Sequence, residues 1–156
     1  MEITEEKARE IYPNMPESFK RELEEYFGKE TFISSKLVKL LEYKNALEMT
    51  GNPDAKTLTD IPEKYHDYFL KEYKCIVLCE AANGGERMDI YNQNVKRYFP
   101  YFLTNGSPGA FAFSDSLYDD SHAIAGSGSR LSVINEKAAR HLGKMFTKEF
   151  REMLEA

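Results

Sequence analysis

Between Ser114 and Arg130 the chain gathers side chains that could do chemistry: Ser116, Tyr118, Asp119, Asp120, Ser121, His122 and Arg130. Asp119 or Asp120 with His122 offers carboxylate and imidazole at a spacing that could begin a divalent-metal site, but no second ligand cluster stands at a recognisable spacing. His66 and His141 are far off in sequence and fall in helical segments, so no metal is expected. Ser121, His122 and Asp119 contain the residue types of a nucleophilic triad. Three residues so close in one loop rarely converge in triad geometry, and no Gly-x-Ser-x-Gly elbow is present. Gly126-Ser127-Gly128-Ser129-Arg130 resembles a phosphate-cradling nest beside a guanidinium, yet it lacks the Gly-Lys-Ser/Thr ending and leads into a strand pattern rather than a helix. No catalytic set and no cofactor follow from these residues.

What remains is recognition. Ser114 to His122 (Ser-Asp-Ser-Leu-Tyr-Asp-Asp-Ser-His) has the composition of adaptable binding surfaces, with Tyr118 as a rigid amphipathic anchor among small polar neighbours. The expected binding residues are Ser116, Tyr118, Asp119, Asp120, His122 and Arg130, on a loop between two strands. A protein is the expected partner, with a small ligand as the alternative. A metal-dependent or small-ligand enzyme using Asp119, Asp120, His122 and Arg130 is the rival reading.

The elements that position this loop follow from local patterns. Thr4 with Glu5 and Glu6 starts a first helix ending near Tyr12-Pro13-Asn14, and Pro16-Glu17-Ser18 starts a second. Phe19, Leu23 and Phe27 form one stripe of that second helix, and Gly28 stops it. Residues 1–32 thus form a helical hairpin, set apart from an α+β body over 33–156. Ser34 or Ser35 starts a third helix running to about Thr50, with Leu37, Leu40, Leu41 and Leu47 as its apolar face, before Gly51-Asn52-Pro53. Asp60 and Pro62 open a long central helix through Cys75-Ile76-Val77-Leu78-Cys79 to Ala82, closed by Asn83-Gly84-Gly85. Strands are expected at 97–103, 110–114 and 129–134, with turns at Asn105-Gly106 and Pro108-Gly109. Asn135 caps a last helix over 136–155, with Ala139, Leu142, Phe146, Phe150 and Met153 as its apolar stripe. Helices early and strands late specify an α+β fold with a small antiparallel sheet of about three strands.

Composition narrows the function classes. The chain has 156 residues, ten Tyr, ten Phe and no Trp, and is 42% hydrophobic, enough for one packed domain. Its net charge of −5 combines −6 over the first 93 residues with +1 over the rest and leaves no dominant basic footprint, so nucleic acid is not an expected partner. The last helix alone carries a basic ridge, Lys137, Arg140, His141, Lys144, Lys148 and Arg151, interspersed with glutamates; an anion or nucleic-acid binder through that ridge is a further alternative. Cys75 and Cys79, four apart in an apolar run, read as buried hydrophobes and not as a disulfide. No signal-peptide pattern and no membrane-length apolar run is visible, which implies a cytoplasmic or virion-associated protein without a membrane partner.

Five segments stand out in order: Tyr26-Phe27-Gly28-Lys29-Glu30-Thr31-Phe32, Asn83-Gly84-Gly85, Tyr98-Phe99-Pro100-Tyr101-Phe102, Gly128-Ser129-Arg130-Leu131 and Leu142-Gly143-Lys144-Met145-Phe146. Together they resemble a family of small uncharacterised proteins from gut bacteria and their bacteriophages. Where that pattern carries Trp after the Asn-x-Gly stop, this chain has Glu86-Arg87-Met88-Asp89-Ile90, and its usual strand Cys is Ser132. The resemblance implies an architecture and a phage or prophage setting, with no activity attached.

Overall fold

The computed structural model describes residues 3–85, 91, 94–119 and 129–156. The fold is α+β. Helix α1 (Glu5–Ile11) is capped by Thr4, whose hydroxyl accepts from the Lys7 N–H at 3.3 Å. Helix α2 (Glu17–Phe27) follows Pro16 and ends at Gly28, whose φ of 85° a side-chain-bearing residue rarely adopts. Ala8, Tyr12, Leu23 and Phe32 are buried together, with Ile3, Phe19 and Phe27 against them. This small core lies wholly within residues 3–32.

The expected third helix is broken in two. Helix α3 (Ile33–Leu37) stops, and α4 (Tyr43–Thr50) restarts after a turn. The Asn45 side chain accepts from the Leu41 and Glu42 N–H groups, giving the chain an alternative to helical bonding. The break buries Leu37, Leu40 and Ala46 while Val38 and Leu41 turn to solvent. The central helix also starts later than expected. Pro62 is extended, a 3-10 turn covers Glu63–Tyr65, and α5 runs His66–Ala82. Its second half, Cys75, Val77, Leu78, Cys79, Ala81 and Ala82, is buried on all sides and forms the centre of the main core.

Strand β1 (Arg97–Leu103) pairs antiparallel with β2 (Ala112–Asp119), matching Tyr98 with Tyr118, Phe99 with Leu117 and Phe102 with Phe113. A bulge beside Tyr101 leaves Ser114 as the extra residue on β2. The second strand therefore begins later than 110, because Pro108–Ala110 is a 3-10 turn. It also runs on through the polar stretch to Asp119, where the β1 backbone supplies hydrogen-bond partners that no side-chain pattern announces.

The third expected strand is absent among the described residues; the sheet has two strands. Ser129–Leu131 is a 3-10 turn, and only Val133 forms a bridge, exchanging two backbone bonds with Tyr98 (3.0 and 2.7 Å). The groups facing the other way are taken by one side chain. Asn83 donates to the Ser132 carbonyl at 3.0 Å, and the Ile134 N–H donates to the Asn83 side-chain oxygen at 2.9 Å. Asn83 thus stands where a neighbouring strand would pair, and it ties the end of α5 to the sheet.

The last helix is likewise two: α6 (Glu136–Met145), capped by Asn135, and α7 (Thr147–Leu154). The Thr147 hydroxyl donates to the Gly143 carbonyl at 2.5 Å where the helix bends, at Phe146. The apolar stripe survives the bend: Ala139, Leu142, Phe146, Phe150 and Met153 are all buried against α5 and the ribbon.

Candidate recognition surface

The expected binding residues separate in the structure. Ser116 and Tyr118 lie on β2, opposite Pro100 and Tyr98, and Asp119 ends that strand opposite Arg97. The region is a paired strand as far as Asp119 and not the loop expected from 114 onward. Asp120, Ser121 and His122 lie outside the described residues, as do Gly126, Ser127 and Gly128. Arg130 is exposed on the 3-10 turn leading to Val133, on the side of β1 away from β2.

Tyr118 is the most prominent of these groups. It is 54% exposed, with its ring 5.7 Å from that of Tyr98 and the Lys96 ammonium 4.0 Å above it. Stacking and a cation over the ring hold one orientation of an aromatic that solvent still reaches. Neighbouring polar groups on β2 are internally engaged. Asp115 pairs with Arg140 of α6 at 2.6 Å, and Arg140 also pairs with Glu136 at 2.8 Å.

The same engagement interrupts the basic ridge. Lys148 pairs with Glu152, Arg151 with Glu155, and the His141 ring nitrogen bonds the Leu40 carbonyl at 2.6 Å. An anion approaching that face meets alternating charges and not a continuous positive stripe.

Sequence reasoning missed the apolar surface beside the ribbon. One face of β1 carries Tyr98 and Phe102, which pack on the main core. The other carries Phe99, Tyr101 and Leu103, joined by Leu117 from β2; Tyr101, Leu103 and Leu117 are exposed. At the β1 side a groove of about 440 Å3 opens between Tyr68 of α5, Phe99 and Pro100 of β1, and Phe150, Met153 and Leu154 of α7. The signal was present in the sequence: Arg97–Leu103 is apolar at nearly every position. A two-stranded ribbon with helices on one side cannot bury both its faces.

The two cysteines sit far from this surface, in the buried half of α5. Burial, then the nearby Glu149 carboxylate, pushes the Cys75 thiol up to about 12, and burial pushes Cys79 well above its ordinary value. Both thiols should resist Ellman's reagent in the native protein and react on addition of denaturant; rapid native labelling of either would contradict this burial. Among the described residues no three His, Cys, Asp or Glu side chains meet as a metal cage, and no helix is long and apolar enough to cross a membrane. No protein-family model, curated protein or solved structure matches the chain.

Proposed function

We propose that this is a non-enzymatic recognition protein that binds another protein through the apolar side of its β-ribbon. The observation carrying this reading is the exposed apolar face of the ribbon, Tyr101, Leu103 and Leu117, beside a groove that Phe99 of the same face helps to line and that reaches Leu154. A contiguous apolar patch rimmed by polar groups is costly to expose and marks interaction sites more often than scattered surface hydrophobes do. The groove has room for one or two apolar side chains of a partner. Tyr118, held by Tyr98 and Lys96 on the other face of the ribbon, is an exposed, oriented aromatic at its end, the residue type that anchors interfaces. Ser116 and Arg130 would contribute polar contacts, with Asp119, Asp120 and His122 as candidates from the sequence alone. A phage or prophage setting rests on the sequence resemblance alone.

Leu117→Asp and Leu154→Asp place a charge on a patch already open to solvent, so each should shift stability by no more than about 0.5 kcal/mol. Affinity capture from a gut-bacterial lysate should then lose the same specific protein with both variants. Val38→Asp, on the turn between α3 and α4, should keep it, since Val38 is exposed elsewhere on the molecule. Retention of every captured protein by both patch variants would remove this reading.

A further inference from the structure

The hairpin and the body meet through polar groups. The hairpin's buried residues form one apolar cluster and the body's form another, and no buried side chain belongs to both. Between them lies a cleft of about 600 Å3, lined by charged groups of α2 and α3 and by Met49, Ala81 and Gly84 of the body. A chain of three side chains crosses the junction. The Tyr12 hydroxyl donates to the Glu24 carboxylate, and Lys36 of α3 pairs with Glu24 at 2.9 Å. The Lys36 and Glu24 side chains are only 16% and 13% exposed. Lys39 adds a long contact to the Pro13 carbonyl, at 3.4 Å.

We propose that residues 3–32 form a flap that opens as a unit about Phe32 and Ile33, held shut by the Tyr12–Glu24–Lys36 latch. Each side of that hinge is anchored in a different core. Phe32 stacks on Tyr12, with ring centroids 4.3 Å apart, and stays with the hairpin. Leu37, one turn later, is buried with the body. A rotation between them leaves the body's core intact and breaks the latch; the hairpin, left with a core of four buried side chains, then unfolds locally and its amides exchange. The ammonium of Lys36 is placed by the body: a Cβ added at Gly84 would lie 2.8 Å from its Nζ, which puts the charge at the carbonyl-rich C-terminal end of α5. Glu24 is the hairpin's counterpart. Its burial opposes ionisation, but the hydrogen bonds from Tyr12 and Lys36 outweigh that and hold its carboxyl below the usual range. Opening widens the cleft beside Met49 and Ala81, which belong to the body. This inference does not depend on the recognition reading of the ribbon.

The test is native-state hydrogen exchange on the full chain, wild type against Lys36→Met and Tyr12→Phe. Lys36→Met keeps an apolar stem and removes the charge; Tyr12→Phe keeps the stack on Phe32 and removes the hydroxyl. In the wild type, amides of α1 and α2 should exchange through an opening with weaker denaturant dependence than those of α5 and α6. Lys36→Met should speed α1 and α2 exchange by about tenfold, and Tyr12→Phe by less, while α5 and α6 rates stay as they were. The proposal fails if both groups of amides open together in the wild type, if Lys36→Met accelerates both equally, or if it accelerates neither.

Discussion

Gly143→Ala should destabilise the protein by about 1–3 kcal/mol, although alanine is the better helix former by about 1 kcal/mol. Gly143 is buried within α6 and does not have a positive φ, so on backbone grounds alone the substitution should help. Packing opposes it. A methyl group at 143 would overlap the ring of Phe113, which β2 packs directly over this position of α6. The ring has little freedom to yield. It meets Phe102 edge to face at 6.1 Å, and Phe102 is itself held by Phe111 and Phe150, at 5.1 and 5.6 Å. Overlap with the constrained ring should outweigh the propensity gain, lowering Tm by roughly 2–12 °C for a chain of this length. Gly143→Ala combined with Phe113→Leu should recover part of the loss, since the smaller side chain vacates the space. Thermal unfolding decides it. A Tm equal to or above wild type for Gly143→Ala would mean that helix and ribbon do not approach as described.

The second large effect belongs to Asn83. Asn83→Ala should cost about 2–5 kcal/mol, because it strips partners from two backbone groups at once, at roughly 1–3 kcal/mol each. The Ser132 carbonyl and the Ile134 N–H both bond this side chain and have it in place of a neighbouring strand. Asn83→Asp sharpens the test. The carboxylate can still accept from Ile134, but it faces the Ser132 carbonyl without a proton to donate, so it should be no better than alanine at neutral pH. Urea titration measures the loss, and exchange of the Ile134 amide locates it. A change under about 0.5 kcal/mol would place Asn83 among ordinary surface positions and sink the account of how the sheet ends.

These two residues show where sequence reading succeeded and where it stopped. Asn83-Gly84-Gly85 was legible as a helix stop, and α5 does end there. That Asn83 also pairs with residues 132 and 134 depends on a contact 49 to 51 positions away, for which no local pattern exists. The apolar run at 130–134 read as a strand because strand and buried turn share the same side-chain signature. Leu131 and Val133 are buried as a strand would bury them, while only Val133 is paired. Likewise the stripes of the third and last helices were visible, but the breaks after Leu37 and at Phe146 were not. Asn45 and Thr147 break them through backbone hydrogen bonds that periodicity does not encode.

The candidate site shifted for a related reason. Tyr118 stood out by composition and is exposed and oriented, but the polar stretch around it is largely strand. The apolar groove went unseen because its walls come from α5, β1 and α7, three elements far apart along the chain.

The sequence by itself determined the α+β class, the positions of the first two helices, the first strand, the buried faces of α5 and α6–α7 and the caps at Thr4 and Asn135. Those depend on periodicity and on side chains bonding backbone three residues away. The tertiary structure decided the number of strands, the helix breaks, the latch between hairpin and body and which aromatics stay exposed. Each of these depends on groups distant in sequence competing for the same hydrogen bond or the same volume, and that competition is resolved only when the elements pack.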